Sequence, residues 1–131
     1  MADEKKITEE QPLNSNDLAF ERTLLAENRT LMAWIRTAIS LISFGFTIYK
    51  FFQEASVKSG VAHRLLSPRK VGMAMILLGL LSLIWGLMEY NGVMKRLKKS
   101  YPDAEESKSK WLAILVLIFG IAMFLGVMFR Q

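Results

Sequence analysis

The chain of 131 residues contains no cysteine and only one histidine, His63. The lack of cysteine excludes disulfides, thiolate nucleophiles and cysteine-based zinc or iron–sulfur sites. A lone histidine in a connecting loop is usually solvated, so no metal site and no cofactor is predicted. The sequence also lacks a glycine-rich phosphate loop, a Gly-x-Ser-x-Gly motif and clustered carboxylates inside an apolar segment. We therefore expect a protein that is not an enzyme.

Charge is missing from three long stretches of the chain. The uncharged runs are Val71–Met88, Trp111–Phe129 and the shorter Thr37–Tyr49. About 20 apolar residues at 1.5 Å each cross a hydrocarbon core of roughly 30 Å. The sequence predicts an all-α membrane protein with three transmembrane helices, in which the spans cover residues 33–52, 71–90 and 111–129.

The region before the first span divides into two parts. Residues 1–16 are polar, mixed in charge and without period, which predicts a flexible tail ahead of a three-span domain at 17–131. The helix-capping residues Asn14–Asp17 predict that a helix begins there. No proline or glycine follows until Gly45, so one helix over 17–52 is predicted. Its first part is an N-terminal amphipathic cytoplasmic helix that extends span 1.

The basic residues flank the spans. With three spans, the N-terminus and the second loop share one side of the membrane. That side carries ten Lys and Arg residues against five on the other side, with Arg36 and Lys50 left out as span residues. Because cytoplasmic loops are enriched in Lys and Arg, we expect a cytoplasmic N-terminus and a C-terminus outside. The net charge of +5 then favours anionic lipids over nucleic acid as a partner.

The dipeptide Arg-Thr recurs every seven residues, beginning at Arg22, Arg29 and Arg36. Seven residues make nearly two helical turns, so the three arginines share a face at about 10.5 Å intervals. At 100° per residue, three hydroxyl side chains lie within roughly 40° of Arg36. Aligned polar groups in a membrane are expected to face protein or water rather than lipid. The predicted ligand-binding and pore-lining set, called the polar stripe below, is Arg22, Arg29, Arg36, Ser40, Ser43 and Thr47.

Each part of the polar stripe also has a simpler explanation. Arg36 lies about one turn inside the apolar segment, from which its guanidinium can reach the lipid headgroups. Arg22 and Arg29 fit the polar face of a helix lying on anionic lipid. Serine and threonine hydroxyls in spans often bond backbone carbonyls of their own helix. Glu89, at the end of span 2, is a candidate ion-pair partner for a stripe arginine or a solvated residue at the interface.

A pore requires several copies of a chain this short. A symmetric ring with span 1 of each copy at the axis would create rings of arginine, which suit anions and phosphates. Spans 2 and 3 are expected to be scaffold. Gly72, Gly79 and Gly86 are spaced by seven on span 2, and Ala113 and Gly120 repeat this spacing on span 3. Such small-residue stripes allow helices to approach closely in lipid.

Residues Leu25–Thr37, with the sequence LAENRTLMAWIRT, resemble the signature L-A-N-E-R-T-x-L-A-W-x-R-T of the YidH-like family of small bacterial inner-membrane proteins (domain of unknown function 202). The resemblance extends to the vacuolar transporter chaperone (VTC) polyphosphate polymerase complex of fungi, in which five such three-helix units surround a channel lined with basic residues. It implies an inner-membrane location and a homo-oligomer, with a pentamer as one candidate. The signature arginine corresponds to Arg29 and the preceding basic position to Arg22, whereas Arg36 matches the bacterial signature only.

The family's glutamate before the signature arginine is Asn28 in this chain. The resemblance therefore leaves Glu27 or Glu21 as the candidate ion-pair partner at this point. The polymerase domain of the fungal complex is not expected here, and polymer synthesis is not inferred.

Two functions remain open. The leading hypothesis is an oligomeric integral membrane protein whose polar stripe forms a binding site or channel for phosphate or polyphosphate. The alternative is a non-transporting membrane scaffold or accessory subunit whose arginines bind anionic lipid headgroups.

Overall fold

The computed structural model describes residues 14–59, 68–102 and 107–130. They form three α-helices: α1 is Ser15–Ser59, α2 is Pro68–Ser100 and α3 is Lys108–Phe129. Each helix is long and apolar enough to cross a bilayer. The predicted all-α membrane fold with three spans is therefore confirmed for the described part of the chain. The predicted tail of residues 1–16 lies outside that part up to residue 13, and residues 15 and 16 already belong to α1.

Helix α1 begins at the predicted capping residues. The carbonyl oxygen of Asn14 accepts hydrogen bonds from the backbone nitrogens of Asp17 at 2.9 Å and Leu18 at 3.2 Å. The helix continues to Ser59 rather than ending near Phe52, because residues 53–59 contain no proline or glycine. At 1.5 Å per residue, its 45 residues span roughly 68 Å, about twice the hydrocarbon core, so α1 extends beyond the bilayer.

Helices α1 and α2 cross closely along the three glycines of α2 that are spaced by seven, Gly72, Gly79 and Gly86. A Cβ atom on Gly72 would lie 2.6 Å from the carbonyl oxygen of Gly45, and a Cβ on Gly45 would lie equally close to that of Gly72. At Gly79, a Cβ would meet Ile42 at 2.9 Å. At Gly86, it would meet the indole ring of Trp34 at 2.6 Å. The three glycines therefore share one face of α2, as the spacing predicts, and this face packs against α1.

Helix α3 packs against this pair through its own small residues. Ala113 is fully buried, and a Cβ on Gly120 would lie 2.7 Å from Leu80 and 2.9 Å from Ile42. Ser107 caps the helix, since its hydroxyl oxygen accepts a hydrogen bond from the backbone nitrogen of Ser109 at 3.3 Å. The predicted small-residue contact of span 3 is therefore present at both Ala113 and Gly120.

The N-terminal part of α1 packs along the C-terminal part of α2. Leu31 is 1% exposed and shares a core cluster with Tyr90 and Met94. Further out, the ring centroids of Phe20 and Tyr101 are 4.3 Å apart. The residues ahead of span 1 are thus attached to α2 and form one continuous helix with the span.

Candidate anion-binding site on α1

All six side chains of the polar stripe are exposed in the single chain. They share one face because residues 15–59 form one uninterrupted helix. The buried side chains of α1 lie on the other side, about 140° around the helix from Arg36; they include Leu31, Ala38, Ile42 and Tyr49. The polar stripe therefore points away from α2 and α3. Anion binding at these residues stays a prediction.

Two hydroxyls of the polar stripe bond to their own helix. The hydroxyl of Ser40 donates to the carbonyl oxygen of Arg36 at 3.0 Å, and that of Thr47 donates to the carbonyl oxygen of Ser43 at 2.8 Å. Each hydroxyl has one proton, so these two side chains have no hydroxyl proton left for an anion. The strongest donors of the stripe are therefore the guanidinium groups of its arginines.

The three arginines have no ion-pair partner among the described residues. Glu21 is exposed on α1, and Glu27 is half-buried about 180° around the helix from Arg36. Glu89 accepts a hydrogen bond from the indole nitrogen of Trp34, with an Nε1–Oε2 distance of 3.2 Å. The guanidinium groups are thus available to a ligand or to a second copy, and the ion pairs proposed for the three glutamates stay predictions.

The bond between Trp34 and Glu89 is a contact that the sequence interpretation missed. The glycines spaced by seven on α2 are the sequence feature from which this contact could have been predicted. Gly86 receives the ring of Trp34, and Glu89 follows Gly86 by three residues, which places it on the same face of α2. The register of α1 against α2 therefore brings this carboxylate to the indole N–H.

Two further seven-residue columns flank the arginines. The apolar column consists of exposed large side chains, namely Leu18, Leu25, Met32 and Ile39. The small column consists of exposed alanines, namely Ala19, Ala26 and Ala33. At 100° per residue, the two columns lie about 50° to either side of the arginines. The sequence interpretation missed both, although their spacing is visible in it.

Tyr101, directly after α2, contacts the start of α1 through Phe20 and Asp17. Burial against neighbouring side chains raises the pKa of Tyr101 above its ordinary value of 10.0. The negative charge of Asp17 and its hydrogen bond with the phenol raise the pKa further. The protonated phenol is therefore the form that fits this contact.

The model of the DUF202 family, described as a domain of unknown function, matches residues 22–96. The match runs from Arg22 into the last turns of α2 and includes the whole polar stripe and Glu89. No curated protein and no solved structure matches the chain. Because the family model covers more than half of the chain, and because the three apolar helices agree with the predicted architecture, this multi-pass membrane protein belongs to the DUF202 family, as its YidH-like signature predicts.

Proposed function

We propose that several copies of this chain assemble into a symmetric ring in the inner membrane and that the polar stripe of each copy faces the ring axis. The stripe then binds phosphate-containing polyanions or lines a channel for them. The observation that carries the proposal is the outer face of α1, where three arginines without ion-pair partners among the described residues lie between exposed apolar and small side chains.

In a single copy, this outer face of α1 would be exposed to lipid inside the membrane and to water beyond it, and it suits neither. Arg36 lies inside the predicted span and would face lipid, where an arginine at the centre of a span costs about 2.5–3.5 kcal/mol and less near its end. Leu25 precedes the predicted span and is 58% exposed, so it would face water. In a ring, a neighbouring copy can cover Leu25, while Arg36 faces the axis instead of lipid.

The columns beside the arginines favour a ring over a two-fold pair. One side of the stripe presents large apolar side chains and the other presents alanines, about 50° away in each direction. The apolar column of one copy packs well against the small column of the next copy. This contact is head-to-tail, and repeating it closes a ring. Such a contact leaves the arginines between the two interfaces and directed at the axis.

The chemistry of the axis then matches phosphate. Guanidinium groups remain charged and bind phosphate oxygens through paired hydrogen bonds. Rings of arginine at intervals of about 10.5 Å along the axis match an extended polyanion better than a single small ion. Polyphosphate is therefore the leading ligand, in agreement with the resemblance to the fungal VTC channel, which itself stays a resemblance.

One observation favours the alternative function, a non-transporting scaffold that binds lipid headgroups. Ser40 and Thr47 donate their protons to backbone carbonyls of α1, as hydroxyls facing lipid do. In that case the deep part of the polar stripe contacts lipid, and only the arginines hold anionic headgroups.

Cysteine cross-linking tests the assembly, because the chain has no cysteine of its own. We expect the double variant Leu25→Cys/Ala26→Cys to give a ladder of disulfide-linked species up to the ring size in native-lipid membranes. Either single variant should stay monomeric on a denaturing gel, because like columns do not meet in a head-to-tail ring. A dimer from Leu25→Cys alone, or a monomer from the double variant, would contradict the ring.

Flux through proteoliposomes separates the two functions. We expect phosphate or polyphosphate flux that falls about tenfold or more in Arg29→Ala and Arg36→Ala, since each removes a charged hydrogen-bond donor. Arg96→Ala is the matched control, because Arg96 is exposed on α2 away from the polar stripe. Binding of anionic lipid that weakens in Arg29→Ala and Arg36→Ala, without any flux, would support the scaffold instead.

A further inference from the structure

An open groove lies between the C-terminal halves of α1 and α3. Its volume is about 330 Å³, and its walls include Phe46 of α1 and Phe119 and Met123 of α3. Gly126 also lines it, and a Cβ on Gly126 would meet no atom within 4 Å. The groove therefore follows the membrane-spanning part of the bundle, and its size suits a narrow apolar group such as one acyl chain.

One end of the groove is basic. Lys50 of α1 and Arg130, directly after α3, both line it. Arg69 at the start of α2 lies near the same end, with its guanidinium carbon 5.7 Å from the ring centroid of Tyr49. None of the described residues that line the groove is acidic. This end therefore attracts a negative group.

A buried hydroxyl without a partner lies at the same place. Tyr49 is 2% exposed and lines the groove. Its hydroxyl oxygen is buried and has no hydrogen-bond partner among the described residues. Leaving such a group unpaired is costly, and an oxygen acceptor entering the groove would relieve that cost.

We propose that the α1–α3 groove binds one anionic phospholipid. An acyl chain lies along Phe46, Phe119 and Met123. The headgroup phosphate lies between Lys50 and Arg130, and a lipid ester or phosphate oxygen accepts a hydrogen bond from the Tyr49 hydroxyl. The apolar walls and the basic end together match the two parts of a phospholipid. This site shares no residue with the polar stripe, and it does not depend on the ring.

Native mass spectrometry of the delipidated protein tests the site. The probes are phosphatidylglycerol and phosphatidylcholine with identical acyl chains, added to the protein in mild detergent. We expect one phosphatidylglycerol per chain to bind more tightly than phosphatidylcholine. Lys50→Ala and Arg130→Ala should each weaken phosphatidylglycerol binding about fivefold, the value expected for one basic residue at a membrane surface. Arg96→Ala, outside the groove, should change nothing.

A second pair of variants tests the acyl-chain part. Gly126→Leu fills the groove without changing charge and should remove tight binding of both lipids. Gly92→Leu is its matched control, because a Cβ on Gly92 likewise meets no atom within 4 Å and Gly92 does not line the groove. Equal affinity for the two lipids with no effect of Lys50→Ala or Arg130→Ala would overturn the proposal. Displacement of bound lipid by millimolar inorganic phosphate would also overturn it, because the site would then recognise phosphate alone.

Discussion

Replacing Gly72 by alanine tests the close crossing of α1 and α2. The added Cβ would lie 2.6 Å from the carbonyl oxygen of Gly45 and 3.0 Å from the backbone nitrogen of Tyr49. Both neighbours are main-chain atoms, which no change of rotamer can move away, so the two helices must separate. Overpacking a core costs about 1–3 kcal/mol, and the upper end applies here because the contact is between backbones. The better helix propensity of alanine offsets about 0.5–1 kcal/mol of this cost. We therefore expect the free energy of unfolding to fall by about 2 kcal/mol.

Gly92→Ala is the matched control for this prediction. Gly92 lies on the same helix, is exposed, and has no atom within 4 Å of the position of an added Cβ. Only helix propensity changes there, so the variant should be stabilised by about 0.5–1 kcal/mol. The two alanine variants should therefore change the free energy of unfolding in opposite directions.

The assay is reversible unfolding by SDS in mixed micelles, followed by far-ultraviolet circular dichroism. Each variant gives a free energy of unfolding relative to the natural sequence. If Gly72→Ala and Gly92→Ala shift this free energy equally, the backbones of α1 and α2 do not touch at Gly72, and the reasoning is refuted.

Two further predictions concern contacts that hold α1 on α2. Trp34→Phe removes the indole donor to Glu89 and should lower the free energy of unfolding by about 1 kcal/mol. In a Glu89→Ala background the same change should cost less. Equal costs in both backgrounds would exclude the hydrogen bond. The raised pKa of Tyr101 means that the folded state holds this proton more tightly than the unfolded state. Its contribution to stability is therefore complete below pH 10.0 and is lost as the pH rises through the folded-state pKa. Titration of tyrosinate absorbance should show a component above the ordinary value of 10.0 that is lost in Tyr101→Phe. Asp17→Asn should lower the pKa of this component, and no change in Asp17→Asn would disprove the charge effect.

The fold could be read from the sequence where one pattern determines one geometry. Stretches without charge correspond to spans because an unpaired charge is costly in lipid. Glycines spaced by seven correspond to one helix face, and Gly72, Gly79 and Gly86 do face α1. The end of α1 could not be read in the same way. Hydropathy reports where the membrane ends, whereas the helix continues to Ser59, since residues 53–59 contain no proline or glycine.

The candidate site could be predicted only in part. The alignment of the polar stripe follows from helix geometry alone, and its side chains are exposed as one face. The partner of Glu89 depends on how two helices are shifted along each other, which a single sequence does not specify. Charge alone makes an arginine a candidate partner of Glu89, whereas the hydrogen bond from the indole of Trp34 to Glu89 is visible only in the fold.

The period of the columns on α1 has a consequence for handedness. A seven-residue step falls about 20° short of two full turns of a straight helix, so the apolar column from Leu18 to Ile39 drifts by about 60° around α1. Straight parallel copies would lose this contact after two or three repeats. Copies that keep it must wind around one another in a left-handed sense. The spacing of seven therefore determines the chirality of any assembly that α1 forms along this face.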